Sequence, residues 1–239
     1  MPLSANGSYL WEESIPANNP GVKTVTTKLR LILVGGGGFG RELSAWAAQA
    51  ADAGQLPALS GYLDDREGAM GNCELAWLGA LCDFTVRNQD RFIIGVGSPP
   101  AKAAIVASLR EKGGQFARLV HPTVVLGRNN FLGEGVILAP FSMNTADTRM
   151  GDFVTLLSFS GLGHDSSAGA FTTISSHVDL MGGCSVGERV FVGSGARVMP
   201  GVNVGSDAVI GAGATVMRSV QQATTVFGPF AKRLRLGRS

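Results

Sequence analysis

The chain has 239 residues, of which 45% are hydrophobic and 16% charged, with 34 glycines and a formal net charge of +2. A charge this close to balance gives no support for a general polyanion binder and so argues against nucleic acid as a partner. No apolar run reaches the roughly 18 residues of a membrane-spanning helix, and so much glycine points to tight turns or a repeat.

Residues 1–28 read as a polar arm in which Tyr9, Leu10 and Trp11 can dock. The arm has neither the basic start nor the apolar core of a signal peptide. Cys73, Cys82 and Cys184 show neither disulfide nor metal spacing, so a reduced, cytoplasmic setting is the default.

Residues 29–120 read as a small α/β domain. Arg30 to Val34 is an apolar run with the character of a buried strand, and the glycine stretch Gly35 to Gly40 leads into a helical segment beginning at Arg41. Gly35, Gly37 and Gly40 fit G-x-G-x-x-G in a strand–turn–helix setting, where bare backbone and a helix N-terminus suit a phosphate. A second strand near Leu59 to Leu63 ends in Asp64 and Asp65, and a third, Arg91 to Val96, runs into Gly97-Ser98-Pro99-Pro100. Ser98 is a candidate helix cap with proline in the first turn. The paired carboxylates can accept hydrogen bonds from ribose hydroxyls or a base, or they are a solvated turn. The unit is Rossmann-like in plan but too short for both halves of a dinucleotide fold, so a nicotinamide cofactor is the weaker reading. The glycines alternatively serve only a tight turn.

Residues 121–220 carry a repeat. Stepping by six from Leu126 to Val216 meets sixteen positions, all apolar except Asn144, and glycine follows nine of them. A helix needs a period of 3.6 and a two-faced strand a period of 2. A period of six fits short flat strands separated by turns and wound as a parallel β-helix, three hexads to a coil, giving a little over five coils. A glycine-rich sandwich is the alternative, but it would show alternation and irregular strand spacing. Residues 221–239 form a basic cap containing Lys232, Arg233, Arg235 and Arg238.

The order of "GGGGFG", "YLDD", "GVGSPP", "HPTVVLG", "GHD" and "GPFAK" resembles the PglD/NeuD-type sugar acyltransferases, over roughly residues 30 to 234. The resemblance implies a left-handed β-helix, although the usual crossover rule favours the other hand. It also implies acetyl-CoA held between neighbouring subunits of a homotrimer, and a sugar or nucleotide-sugar acceptor held by the first domain at Gly38, Phe39, Gly40, Asp64, Asp65 and Gly97.

It further implies His164 as general base, with Asp165 orienting it. Adjacent residues on a strand point to opposite faces, so this pair requires a bend. One coil later stands Gly182, whose backbone N–H suits the thioester oxygen. Thr173, expected with Gly182 in the acetyl-CoA site, occupies the place of a second family histidine near the acetyl group, nine residues after the first, and Phe39 replaces a histidine in the glycine loop. Ser194, Ala212 and Lys232 match coenzyme contacts. Without the resemblance, His164 reads as a surface histidine at a turn and Gly182 as a turn glycine.

His121, His164 and His177 are too widely spaced along the chain to supply the close pair of a zinc site, so no metal is expected. Three functions remain open: N-acetylation of a nucleotide-linked amino sugar, O-acetylation of a sugar or sialic acid, and a non-catalytic nucleotide-binding scaffold.

Overall fold

The computed structural model describes residues 29–228. Its N-terminal part is a four-stranded parallel sheet with two helices. β1 (Arg30–Val34), α1 (Gly38–Asp52), β2 (Leu59–Leu63), β3 (Asp90–Ile94), α2 (Pro99–Glu111) and β4 (Gln115–Phe116) follow one another along the chain, and the strands lie in the order β2-β1-β3-β4. Two features differ from the sequence expectation. The helix starts at Gly38 rather than after Gly40, and Gly40 in its first turn sits so close to the Gly35 carbonyl oxygen that any Cβ would collide with it. Ser98 does stand at the N-cap of α2, with proline behind it, but its hydroxyl makes no capping bond.

From β5 (Leu119–Val120) to β22 (Thr225–Val226) the chain forms eighteen two-residue strands in three parallel sheets of seven, six and five strands. This is a parallel β-solenoid of six turns. Each strand pairs with its counterpart in the next coil, as Gly161 does with Asp179 and Leu162 with Leu180. The hexad residues point inward, and Leu156, Leu162, Ile174, Leu180, Val192 and Ile210 are fully buried. The exception, Asn144, is also fully buried; its Oδ1 has no hydrogen-bond partner.

A second inward register, two residues earlier, escaped the sequence reading. It holds Val136, Val154, Val178, Val190 and Ala196, but also Ser142, Ser160 and Thr172. Those hydroxyls are satisfied locally; Ser160, for instance, donates to the Ser175 carbonyl at 2.6 Å. The register was masked because serine and threonine look polar in sequence yet fit the solenoid interior once they bond its backbone.

The glycine after each apolar residue and the residue that turns the corner are different positions. Gly163 is needed for close approach, since a Cβ there would lie 2.6 Å from the Gly182 nitrogen. The left-handed backbone falls two residues later, at Phe141, Asp147, Phe153, Phe159, Asp165, Phe171 and His177, with φ between 58° and 62°. For bulky residues such a φ costs energy. Here stacking one coil apart offsets it: Phe153 on Phe171 at 5.2 Å, Phe141 on Phe159 at 5.2 Å, and Phe159 on His177 at 5.1 Å.

The N-terminal part packs on the seven-stranded face of the solenoid. Leu119 and Ile137 join the core beneath α1, and Phe153 joins the core beneath α2. Polar ties reinforce this junction: His121 Nε2 meets Gln49 Oε1 at 2.6 Å, and Arg110 meets Glu134 at 2.7 Å. Burial pushes the His121 pKa down. No helix among the described residues is long and apolar enough to cross a membrane.

Candidate functional site

His164 and Asp165 lie at the corner between β12 (Gly161–Leu162) and β13 (Ser167–Ala168). Neighbouring side chains on an extended strand would diverge, but Asp165 has φ 60°, and this bend brings its Oδ2 to 2.8 Å from His164 Nδ1. With the ring proton on Nδ1 held by the carboxylate, Nε2 is left as the free base. Both side chains are solvent-accessible, 72% and 67% exposed.

Gly182 stands one coil on, and the register is held by the Gly183 N–H donating to the His164 carbonyl at 2.7 Å. A Cβ at Gly182 would lie 2.5 Å from His164 Nε2 and 2.7 Å from its Cε1. The imidazole therefore lies across the bare Cα. The Gly182 N–H donates to no acceptor among the described residues. A base nitrogen and an open amide thus share one corner.

Ser194 and Ala212 stack on each other at a different corner, where Gly213 N–H donates to the Ser194 carbonyl at 2.8 Å. Both are exposed. They flank the opposite edge of the six-stranded face from His164, and one chain does not bring the two corners together. Lys232 lies outside the described residues.

Thr173 is not brought beside His164. It sits in β14 (Thr173–Ile174) on the seven-stranded face, 2% exposed, and its Oγ1 accepts a hydrogen bond from Lys102 Nζ at 3.0 Å. Lys102 is the residue that sequence reasoning missed. It is 1% exposed and also donates to the Phe153 carbonyl at 2.8 Å and Thr155 Oγ1 at 2.9 Å. The signal was available, since Pro99, Lys102, Val106 and Leu109 form the buried stripe of α2. A lysine in such a stripe needs a partner.

Burial pushes the Lys102 pKa down from 10.5 to about 7. The two threonine hydroxyls can turn to donate, so the pocket accepts either protonation state. The ammonium is less stable folded than unfolded, so its cost is complete below about pH 7 and is relieved as pH rises towards 10.5. Thermal melts should therefore show the wild type gaining stability relative to Lys102→Met between about pH 7 and pH 10. Parallel curves would contradict this.

At the other candidate site, the switch point of the sheet lies between β1 and β3, where the chain leaves towards α1 on one side and α2 on the other. Ligands favour such crevices at the carboxyl ends of strands. Gly35 and Gly95 meet there: a Cβ at Gly95 would lie 3.1 Å from the Gly35 oxygen. The N-cap Gly37 has no side-chain bond, and nothing approaches its would-be Cβ or that of Gly97 within 4 Å. Gly38 is exposed in the first turn of α1, which leaves its amide end open.

Asp64 serves the loop itself. Its carboxylate accepts the Gly36 N–H at 2.8 Å and the Arg66 N–H at 3.0 Å. Its carbonyl accepts the indole N–H of Trp77 at 2.9 Å. The exposed carboxylate is Asp65. Phe39 packs edge-on against Trp46 at 6.1 Å. Among the described residues no group of three or more His, Cys, Asp or Glu is placed to hold a metal ion.

Residues 183–218 match the family model described as bacterial transferase hexapeptide (six repeats). No curated protein sequence matches the chain. Among solved structures, PerB from Caulobacter crescentus in complex with CoA and GDP-perosamine is similar, at 27% identity and TM-score 0.73, over 83% of this chain and 94% of that one. The acetyltransferase domain of PglB from Neisseria gonorrhoeae in complex with acetyl coenzyme A is similar at 26% identity and TM-score 0.75, over 87% of this chain and all of that one. WeeI from Acinetobacter baumannii shares the fold at 22% identity and TM-score 0.75, over 84% and 97% of the two chains.

Proposed function

We propose that this chain is a hexapeptide-repeat sugar acyltransferase of the PglD/NeuD type, a reading that its similarities support, and that it transfers acetyl from acetyl-CoA to the amine of a nucleotide-linked amino sugar. The observation that carries the reading is the His164 ring, held by Asp165 on one nitrogen and lying across Gly182 with the other. The likeness to PerB, solved with CoA and GDP-perosamine, supports it.

In this reading the acceptor amine attacks the thioester carbonyl while His164 Nε2 takes its proton, and Asp165 stabilises the imidazolium that forms. The Gly182 N–H donates to the oxygen that gains negative charge. The tetrahedral intermediate collapses, the carbon–sulfur bond breaks, and the departing thiolate recovers the proton from the imidazolium. A base of this kind contributes about 10²- to 10⁴-fold.

We take the solenoid to wind left-handed and residues 29–120 to act as a Rossmann-like acceptor-binding domain. In it the open amides of Gly38 to Gly40 and of Gly97 meet phosphate, and Asp65 meets ribose or base. Asp64 holds the loop in shape. Ser194 and Ala212 edge the acyl donor from a neighbouring copy, which the separation of the two corners within one chain supports; a homotrimer in the cytoplasm completes the reading. Thr173, with its hydroxyl on Lys102, is left out of the donor site.

Incubation with acetyl-CoA and a panel of nucleotide-linked sugars, read by thiol release, tests this. Release with amino sugars supports N-acetylation. Release only with sugars lacking an amine moves the reading to O-acetylation, and no release with any of them overturns it.

A further inference from the structure

Lys102 joins three things at once. Its ammonium binds Thr155 and Thr173, which are register partners on β11 (Thr155–Leu156) and β14. These residues are the two ends of one solenoid coil, and His164 is the midpoint between them, nine residues from each. Lys102 itself lies in the first turn of α2, with its N–H on the Ser98 carbonyl at 2.9 Å, directly after the Gly97 loop. One side chain thus clasps the coil that carries the imidazole to the helix that follows the acceptor loop.

Packing alone does not call for a lysine here. Val106 and Leu109 fill the rest of the stripe, and an aliphatic residue would avoid the cost of burying an ammonium. What the ammonium adds is a fixed register: three acceptors within 3.0 Å define one position of α2 against the solenoid, where an apolar contact would allow sliding. Misplacement of reacting groups by about 1 Å can cost about 10²-fold in rate.

We propose that Lys102 is a positioning residue of the transfer reaction, fixing the stance of the acceptor-binding domain on the solenoid coil whose far corner carries His164, through the Thr155–Thr173 clasp. This rests on the function proposed above. The test compares Lys102→Met, the Thr155→Val/Thr173→Val pair, and all three changes together, each checked for a cooperative melt. At saturating concentrations of both substrates, kcat of the folded Lys102→Met enzyme should fall by about tenfold or more, with the dissociation constant for acetyl-CoA within about twofold of wild type. The threonine pair should lose a similar factor, and the triple variant little more than either, because the groups act as one unit. A kcat unchanged within about twofold in the folded Lys102→Met enzyme, or losses that multiply in the triple variant, would overturn the proposal. If Lys102→Met does not fold, the threonine pair decides alone.

Hydrogen exchange separates this from the function itself. Whether or not any acceptor is turned over, amides 161–166 should exchange at least about tenfold faster in the variants while amides 197–216 stay as in wild type. Unchanged exchange at 161–166 sinks the clasp. A wild-type chain that acetylates nothing sinks the function and leaves the clasp to be judged on exchange.

Discussion

His164→Ala should lower turnover by about 10²-fold or more while acetyl-CoA binds as before. Geometry and exposure together give the reason. The ring projects from the corner, 72% exposed, so its loss opens no core cavity and removes no packing the solenoid depends on. What it removes is the nitrogen that lies across Gly182. The attacking amine then has no base in reach to take its proton as the new bond forms. Asp165→Asn is the informative companion. It can keep a hydrogen bond to the ring but takes away the charge that favours the imidazolium, so it should slow turnover by less than His164→Ala while leaving acetyl-CoA affinity untouched. Acetyl-CoA titration and steady-state thiol release on the same preparations make the check. Unchanged turnover in His164→Ala, or lost acetyl-CoA affinity with normal kcat, would remove His164 from the role of base.

The solenoid was legible because its interior repeats. Fifteen of sixteen hexad residues between Leu126 and Val216 are apolar, and three hexads to a coil carry His164 onto Gly182 by arithmetic alone. The C-terminal end was not legible, because the phase changes there. Val226 pairs with Ile210 and Val220 bridges Val204, both across a span shorter than three full hexads. A fixed step of six therefore stops at Val216 and misses the last turn.

The residue that turns the corner was not legible for a different reason. Glycine marks the point of closest backbone approach, as at Gly163, whereas the left-handed residue is aromatic or acidic at Phe153, Phe159 and Asp165. Tertiary stacking supplies what local propensity lacks, and stacking between residues one coil apart is not visible in any short window. Lys102 was missed, and with it the bond that Thr173 makes. Each looks ordinary in its own segment, and their bond joins α2 to a strand far along the chain. Asp64 was legible as a carboxylate at the end of a strand, but its bond to the Gly36 amide was not, because 28 residues separate the two.

Gly182→Ala carries the second large expectation, and it separates activity from stability. The added methyl would lie 2.5 Å from Nε2, 2.7 Å from Cε1 and 3.0 Å from Cδ2 of His164. All three atoms belong to an exposed side chain, so the clash is relieved by rotating the ring away rather than by moving backbone. Gly182 is also absent from the positions of left-handed φ, so alanine brings no backbone strain there. The melting temperature should therefore stay close to wild type, while kcat falls by about 10- to 100-fold as Nε2 leaves its place and the methyl crowds the amide proposed to meet the thioester. Gly163→Ala is the contrast. There the Cβ meets backbone, the Gly182 nitrogen at 2.6 Å and the Met181 carbonyl carbon at 2.9 Å, and the coils must part to admit it. That variant should lose stability along with activity. Paired melts and rate measurements on the two alanine variants decide the matter. If Gly182→Ala keeps full turnover, the imidazole does its work elsewhere, and if it melts as early as Gly163→Ala, Gly182 holds the coils together rather than the chemistry.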